Sequence, residues 1–143
     1  MEIIKKVIFK KFTENSFLSI GLIYFFVSIA ISILFIGYEN LIFTNTEWLF
    51  SGNDMSAHQS GWYFFKNDIW RFPIGSNPNY GINIGNSVVY SDSIPLLAFF
   101  FKLLDFLLPN EFQYFGLWFL LCFFLQGFLS YLLVFKFTKI VNF

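Results

Sequence analysis

The feature that most constrains this chain is Phe17–Tyr38, 22 consecutive residues without a charge. At about 1.5 Å per residue, a helix of that length crosses a hydrocarbon layer about 30 Å thick. Glu14 and Asn15 precede the run, and Glu39 and Asn40 follow it. Its small residues Gly21, Ser28, Ala30 and Ser32 offer a face on which a second helix packs closely. A cleaved signal peptide is the competing reading, because Lys5, Lys6, Lys10 and Lys11 lie upstream. The run is longer than the apolar core of about 15 residues in such peptides, and no small-x-small cleavage site follows it. A retained anchor is expected.

A second charge-free run, Phe112–Phe135, ends at Lys136 and Lys139. Tyr114 and Trp118 near its start are the residue types that sit at a membrane–water interface. Composition agrees. Hydrophobic residues make up 57% of the chain and charged residues 13%, too little charge to cover a soluble domain of this size. The surplus apolar surface is expected to meet lipid. Net charge is zero and no basic patch occurs, so no nucleic-acid partner is expected. The single cysteine, Cys122, makes no internal disulfide.

A third apolar stretch, Ile94–Leu108, reads as a helix begun by Pro95 and stopped by Pro109. It is shorter than the about 20 residues a span needs, and Lys102 and Asp105 would lie inside the bilayer. Their i,i+3 spacing predicts a pair on one helix face. A helix lying along the membrane surface, or packed beneath other elements, satisfies these constraints best.

Lysines precede the first span and follow the last. Both ends therefore prefer the cytoplasm, which requires an even number of crossings. The expected order is a cytoplasmic basic tail over 1–16, a span over 17–38, an extracytoplasmic segment over 39–111, a span over 112–135 and a cytoplasmic end over 136–143. The fold class is an all-α membrane protein: two transmembrane helices joined by interfacial or extracytoplasmic helices, near 53–66 and 94–108, and an ordered loop. Asn53 or Ser51 caps the first of these helices, and Asp54 sits in its first turn. Pro73–Ser93, rich in Pro, Gly and Asn (Asn83 among them), reads as ordered loop.

Asp54 and His58 are four apart, so on a helix they share a face. An aspartate acts as a base or binds a divalent cation, and a histidine shuttles protons. Helix capping by Asp54 and a merely polar surface His58 are the plainer reading. No second acid lies close in sequence to complete a carboxylate pair; Asp68 and Asp92 would have to approach in three dimensions, which the chain alone does not show. Lys66 and Arg71 are weaker candidates for a lipid phosphate, against ordinary interfacial anchoring. Asp92-Ser93 before Ile94-Pro95 reads as a helix-start signal. Trp62, Trp70, Tyr80 and Tyr90 suit either sugar stacking or an aromatic belt. No P-loop, GxSxG, HExxH or Cys/His metal pattern occurs.

Three stretches carry a resemblance: Trp48-Leu49-Phe50-Ser51-Gly52-Asn53-Asp54-Met55-Ser56-Ala57-His58-Gln59-Ser60-Gly61-Trp62, Phe72-Pro73-Ile74-Gly75-Ser76-Asn77-Pro78-Asn79-Tyr80-Gly81, and Ser91-Asp92-Ser93-Ile94-Pro95-Leu96-Leu97-Ala98. Together they resemble the N-terminal part of a bacterial family of polytopic inner-membrane proteins of unknown function. That family is itself similar to the GT-C glycosyltransferases. The resemblance implies sugar transfer from a polyprenyl-phosphate-linked donor outside the cytoplasm. It makes Asp54 the catalytic acid residue, as general base or metal ligand. Met55 departs from the small residue usual after that aspartate. Length departs further, since GT-C proteins thread the membrane many times. The expectation is therefore an N-terminal fragment without transferase activity of its own, whose partners are membrane lipids and either a missing C-terminal transmembrane part or other membrane subunits. The competing expectation is a small non-catalytic membrane protein or helix-packing subunit, using Gly116, Gly127 and Ser130.

Overall fold

Gly37 ends the first helix. Its φ of +83° is the left-handed conformation that closes a helix, and its N–H still reaches the Ile33 carbonyl at 3.0 Å. The computed structural model describes residues 2–52, 54–81 and 84–141, with side chains between Phe17 and Thr138. Within them the chain is mostly helical, with four α-helices and one minimal sheet. These are α1 (Glu2–Ile36), α2 (Asp54–Asn67), a hairpin of β1 (Ser76–Asn77) and β2 (Asn86–Ser87), α3 (Pro95–Leu103) and α4 (Phe115–Val141), with short 3-10 turns at Glu39–Leu41, Glu47–Phe50 and Asp105–Leu107. The chain divides into two units, one built from the residues up to Leu41 and from Phe115 onward, the other from Ile42–Tyr114.

The first unit is an antiparallel pair of α1 and α4. Phe17 meets Phe128, and Phe25 meets Phe124 further along α1. Beyond the end of α1, Asn40 lies against Gly116. The seam uses small residues, as expected. Gly21 lies under the Phe128 ring, and Ser28 and Ser32 are buried, whereas Ala30 faces outward. Both helices are long and apolar enough to cross a membrane, over Phe17–Ile36 and Phe115–Thr138. Only 11% of the first window and none of the second is buried by the chain itself. The lysine side chains of the tail and of Lys139 lie outside the described residues.

The second unit has its own aromatic core. Leu49, Trp62, Val88, Ala98 and Tyr114 are fully buried. Trp62 packs edge-on against Tyr114 at 5.0 Å, and Phe101 stacks on Tyr114 at 5.4 Å. The Trp62 Nε1–H donates to the Phe112 carbonyl at 2.9 Å. Trp62 is therefore neither a sugar-stacking surface nor part of an interfacial belt. The charge-free run that begins at Phe112 likewise splits. Gln113 donates from its backbone to Phe43 O and from its side chain to Ile42 O. This closes the second unit, and α4 begins only at Phe115. Tyr114 points inward rather than to an interface, and burial pushes its phenol well above its ordinary range.

The third apolar stretch is a nine-residue helix followed by a 3-10 turn, not one helix to Leu108. The break at Leu104 separates Lys102 from Asp105. Lys102 donates to the Phe65 and Asp68 carbonyls, while Asp105 stands 3.6 Å from Lys66. The i,i+3 pair does not form because each charge has a partner on or just beyond α2. On the outer side of this segment Leu96, Phe100, Leu103, Phe106 and Leu107 are exposed, opposite the buried Ala98 and Lys102.

Candidate functional site

The second unit is organised around Gly61 on α2. A Cβ there would stand 2.2 Å from Ser91 Oγ and 2.6 Å from Ser93 Oγ, so only glycine lets the Ser91–Ile94 turn lie on the helix. That turn is held from several sides. Ser93 Oγ donates to His58 O at 2.6 Å. The two serine hydroxyls stand 2.9 Å apart. The Tyr114 hydroxyl donates to Ser93 O. From the other direction Asn77, fully buried, donates its amide to Gly61 O at 2.9 Å. The stretches Trp48–Trp62, Phe72–Gly81 and Ser91–Ala98 thus meet at one point.

Two residues of the turn have left-handed backbones, Asp92 with φ 51° and Ile94 with φ 49°. Aspartate tolerates this region; a β-branched isoleucine does so at a cost. Such strain persists only where the surroundings over-determine the conformation, and it concentrates at functional sites. Asp92-Ser93 is consequently not a helix cap. The cap position is Ile94, with no side-chain hydrogen bond, and the Ser93 hydroxyl is engaged with His58.

The turn sets Asp92 beside the first turns of α2. Asp54, His58, Asp92, Tyr80, Tyr90 and Asn86 line one open cleft of about 360 Å³. Asp54 sits in the first turn of α2, where a negative charge is favoured by the helix dipole. The cap assigned to Asn53 falls outside the described residues, and Ser51 Oγ donates back to Trp48 O instead. His58 Nδ1 lies 3.1 Å from the Ser91 carbonyl. A carbonyl only accepts, so Nδ1 is the donor in this contact. The Tyr80 hydroxyl donates to Ala57 O at 3.3 Å, and Tyr90 is largely exposed. Asp92 lines the same cleft as Asp54, whereas Asp68 lies elsewhere, paired with Arg71. Among the described residues no three His, Cys, Asp or Glu side chains come together to hold a metal ion.

The other candidates have structural partners. Lys66 is buried and donates to Pro109 O and Asn110 O at 2.5 and 3.1 Å. Its ammonium ties the end of α2 to the segment before α4. Arg71 makes two 3.0 Å bonds to Asp68. This pairing holds the Asp68 carboxyl below its ordinary range, helped by the Ile69 N–H. Trp70 lies parallel to Phe99 at 6.4 Å. Asn77 was legible only as a turn residue; no sequence signal distinguishes a buried Asn from an exposed one.

Fold and site together define a helical protein with two helices long enough to cross a membrane and a separately packed unit bearing an acidic cleft. The chain belongs to the family described as Domain of unknown function (DUF6311), whose pattern matches residues 25–141. No curated protein matches the chain. No solved structure matches it either.

Proposed function

We propose that this chain is part of a membrane glycosyltransferase of the GT-C type, and that the Asp54–His58–Asp92 cleft receives an acceptor hydroxyl. The observation that carries the reading is that two carboxylates, Asp54 and Asp92, and the histidine His58 line a single cleft. A strained turn places the second acid there. The reaction class comes from the resemblance of the three stretches to that bacterial family. In this reading Asp54 takes the acceptor proton as the hydroxyl attacks the sugar carbon and the lipid phosphate leaves. His58 and Asp92 orient the acceptor, and Tyr90 offers an exposed ring face to a sugar. The walls of a lipid-linked donor site come from further membrane segments or subunits.

The proposed setting is a bacterial inner membrane crossed twice, both ends cytoplasmic. The antiparallel pairing of α1 and α4 supports an even number of crossings, since it brings their outer ends to one side. The exposed Leu96, Phe100, Leu103 and Phe106 support an α3 segment lying at the membrane surface. A packing subunit is the less favoured reading, because Gly116 and Gly127 already lie against Asn40 and Tyr24 of the same chain. The test is the Asp54→Asn change made in an intact homologous membrane protein that carries the same stretch, with transfer from a polyprenyl-phosphate sugar as readout. Loss on the order of 10²–10⁴-fold is expected of a general base. Unchanged transfer removes Asp54 from the mechanism.

A further inference from the structure

A second concavity lies beside α2, apart from the acidic cleft and independent of the reaction proposed for it. Its volume is about 310 Å³, and its lining includes Phe50, Gln59, Tyr63, Phe64 and Glu111. Three of its lining residues are aromatic, and Thr46 and Ser60 add hydroxyls. Gln59 is 2% exposed, yet its Oε1 has no hydrogen-bond partner. Buried amide oxygens are rarely left so, and this one belongs to a side chain that lines a groove. Glu111, exposed at the rim, adds a second acceptor and a negative charge.

We propose that this groove binds the ammonium end of an amphiphilic amine. An ammonium is a donor without lone pairs; it pairs with the exposed Glu111 carboxylate, and it meets Gln59 Oε1 once that buried amide turns toward the groove. The faces of Phe50, Tyr63 and Phe64 attract a cation and cover the adjoining methylenes. A hydroxyl meets Gln59 but leaves the Glu111 charge unused. A carboxylate or phosphate is repelled by it.

The test uses the full chain in phosphatidylcholine nanodiscs with n-hexylammonium, n-hexanol and n-hexanoate as probes, read by saturation-transfer NMR against empty discs. Saturable binding of hexylammonium, stronger than that of hexanol and absent for hexanoate, is expected. Glu111→Gln should weaken hexylammonium by about tenfold and leave hexanol unchanged, the size of one charge-assisted contact. Gln59→Leu should weaken both. Should that buried variant fail to fold, the exposed Glu111→Gln decides alone. Uptake equal to that of empty discs, equal affinity for the three probes, or indifference to Glu111→Gln overturns the proposal. Discs containing phosphatidylethanolamine separate the sources of the amine. Displacement of hexylammonium there assigns the groove to a lipid head, and undiminished uptake assigns it to a free amine.

Discussion

The ammonium of Lys102 lies 4.1 Å from the centre of the Phe65 ring. It also donates to the carbonyls of Phe65 and Asp68, the latter at 2.9 Å, with the Trp70 ring 5.1 Å away. The carbonyls at the end of α2, left without helical donors, are thus capped by a lysine from α3. Lys102→Met keeps the apolar stem and removes the donors. The variant should lose about 2–4 kcal/mol of unfolding free energy at neutral pH, measured by chemical denaturation in detergent.

Alkaline pH separates this lysine from its neighbours. Burial pushes the Lys102 ammonium below its ordinary 10.5, against the pull of Asp68 and Asp105. Between the lowered value and 10.5 the unfolded chain holds a proton that the folded chain has released. Stability therefore rises with pH across that window, and below it the cost of the buried charge is fully present. The rise should be missing from Lys102→Met. Parallel alkaline profiles for the two proteins would contradict it.

Acid stability rests in part on Asp68. Arg71 holds this carboxyl below its ordinary 3.8. Its contribution is fully present above that value and disappears as pH falls through the lowered one. Arg71→Gln should move the acid unfolding midpoint to higher pH, followed by near-ultraviolet circular dichroism. Coincident transitions would show that the exposed guanidinium contributes nothing measurable, as many surface pairs do.

Gly61 positions the acidic turn. Gly61→Ala sets a methyl 2.2 Å from Ser91 Oγ and 2.3 Å from its Cβ, and should destabilise by about 1–3 kcal/mol. Adding Ser91→Gly removes the two nearest clashing atoms, leaving Ser93 Oγ at 2.6 Å, and should recover part of the loss. Additivity of the two changes would mean that the turn does not rest on Gly61.

The helix pair distinguishes two glycines. A Cβ at Gly116 meets the Asn40 carbonyl at 2.4 Å, and one at Gly127 meets the Tyr24 ring at 2.7 Å. Backbone moves less readily than a ring. Gly116→Ala should therefore cost about 2 kcal/mol, and Gly127→Ala less than half of that. Thermal unfolding in nanodiscs ranks them, and the reverse order would place the α1–α4 seam elsewhere.

Topology is open to a direct measurement. In a Cys122→Ser background, a cysteine replacing Asn142 should be protected from an impermeant thiol reagent in intact cells, and one replacing Tyr90 should label. Labelling at position 142 would mean an odd number of crossings.

Sequence alone determined the two long apolar helices, the helix from Asp54 and the shared face of Asp54 and His58. Each follows from local rules: an uncharged run long enough to span lipid, a first-turn acid, and a helical repeat of about 3.6 residues. Tertiary structure decided where the second run divides, because Phe112 and Tyr114 are as apolar as the residues of α4 and only packing distinguishes a core from a lipid-facing helix. It decided that Lys66 and Lys102 bond backbone carbonyls, since hydrogen-bond partners more than 30 positions away leave no periodic trace. It also chose Asp92 over Asp68 as the companion of Asp54. That choice depends on Gly61 having no side chain and on a left-handed turn laid across it, a steric relationship between distant residues that no local pattern contains.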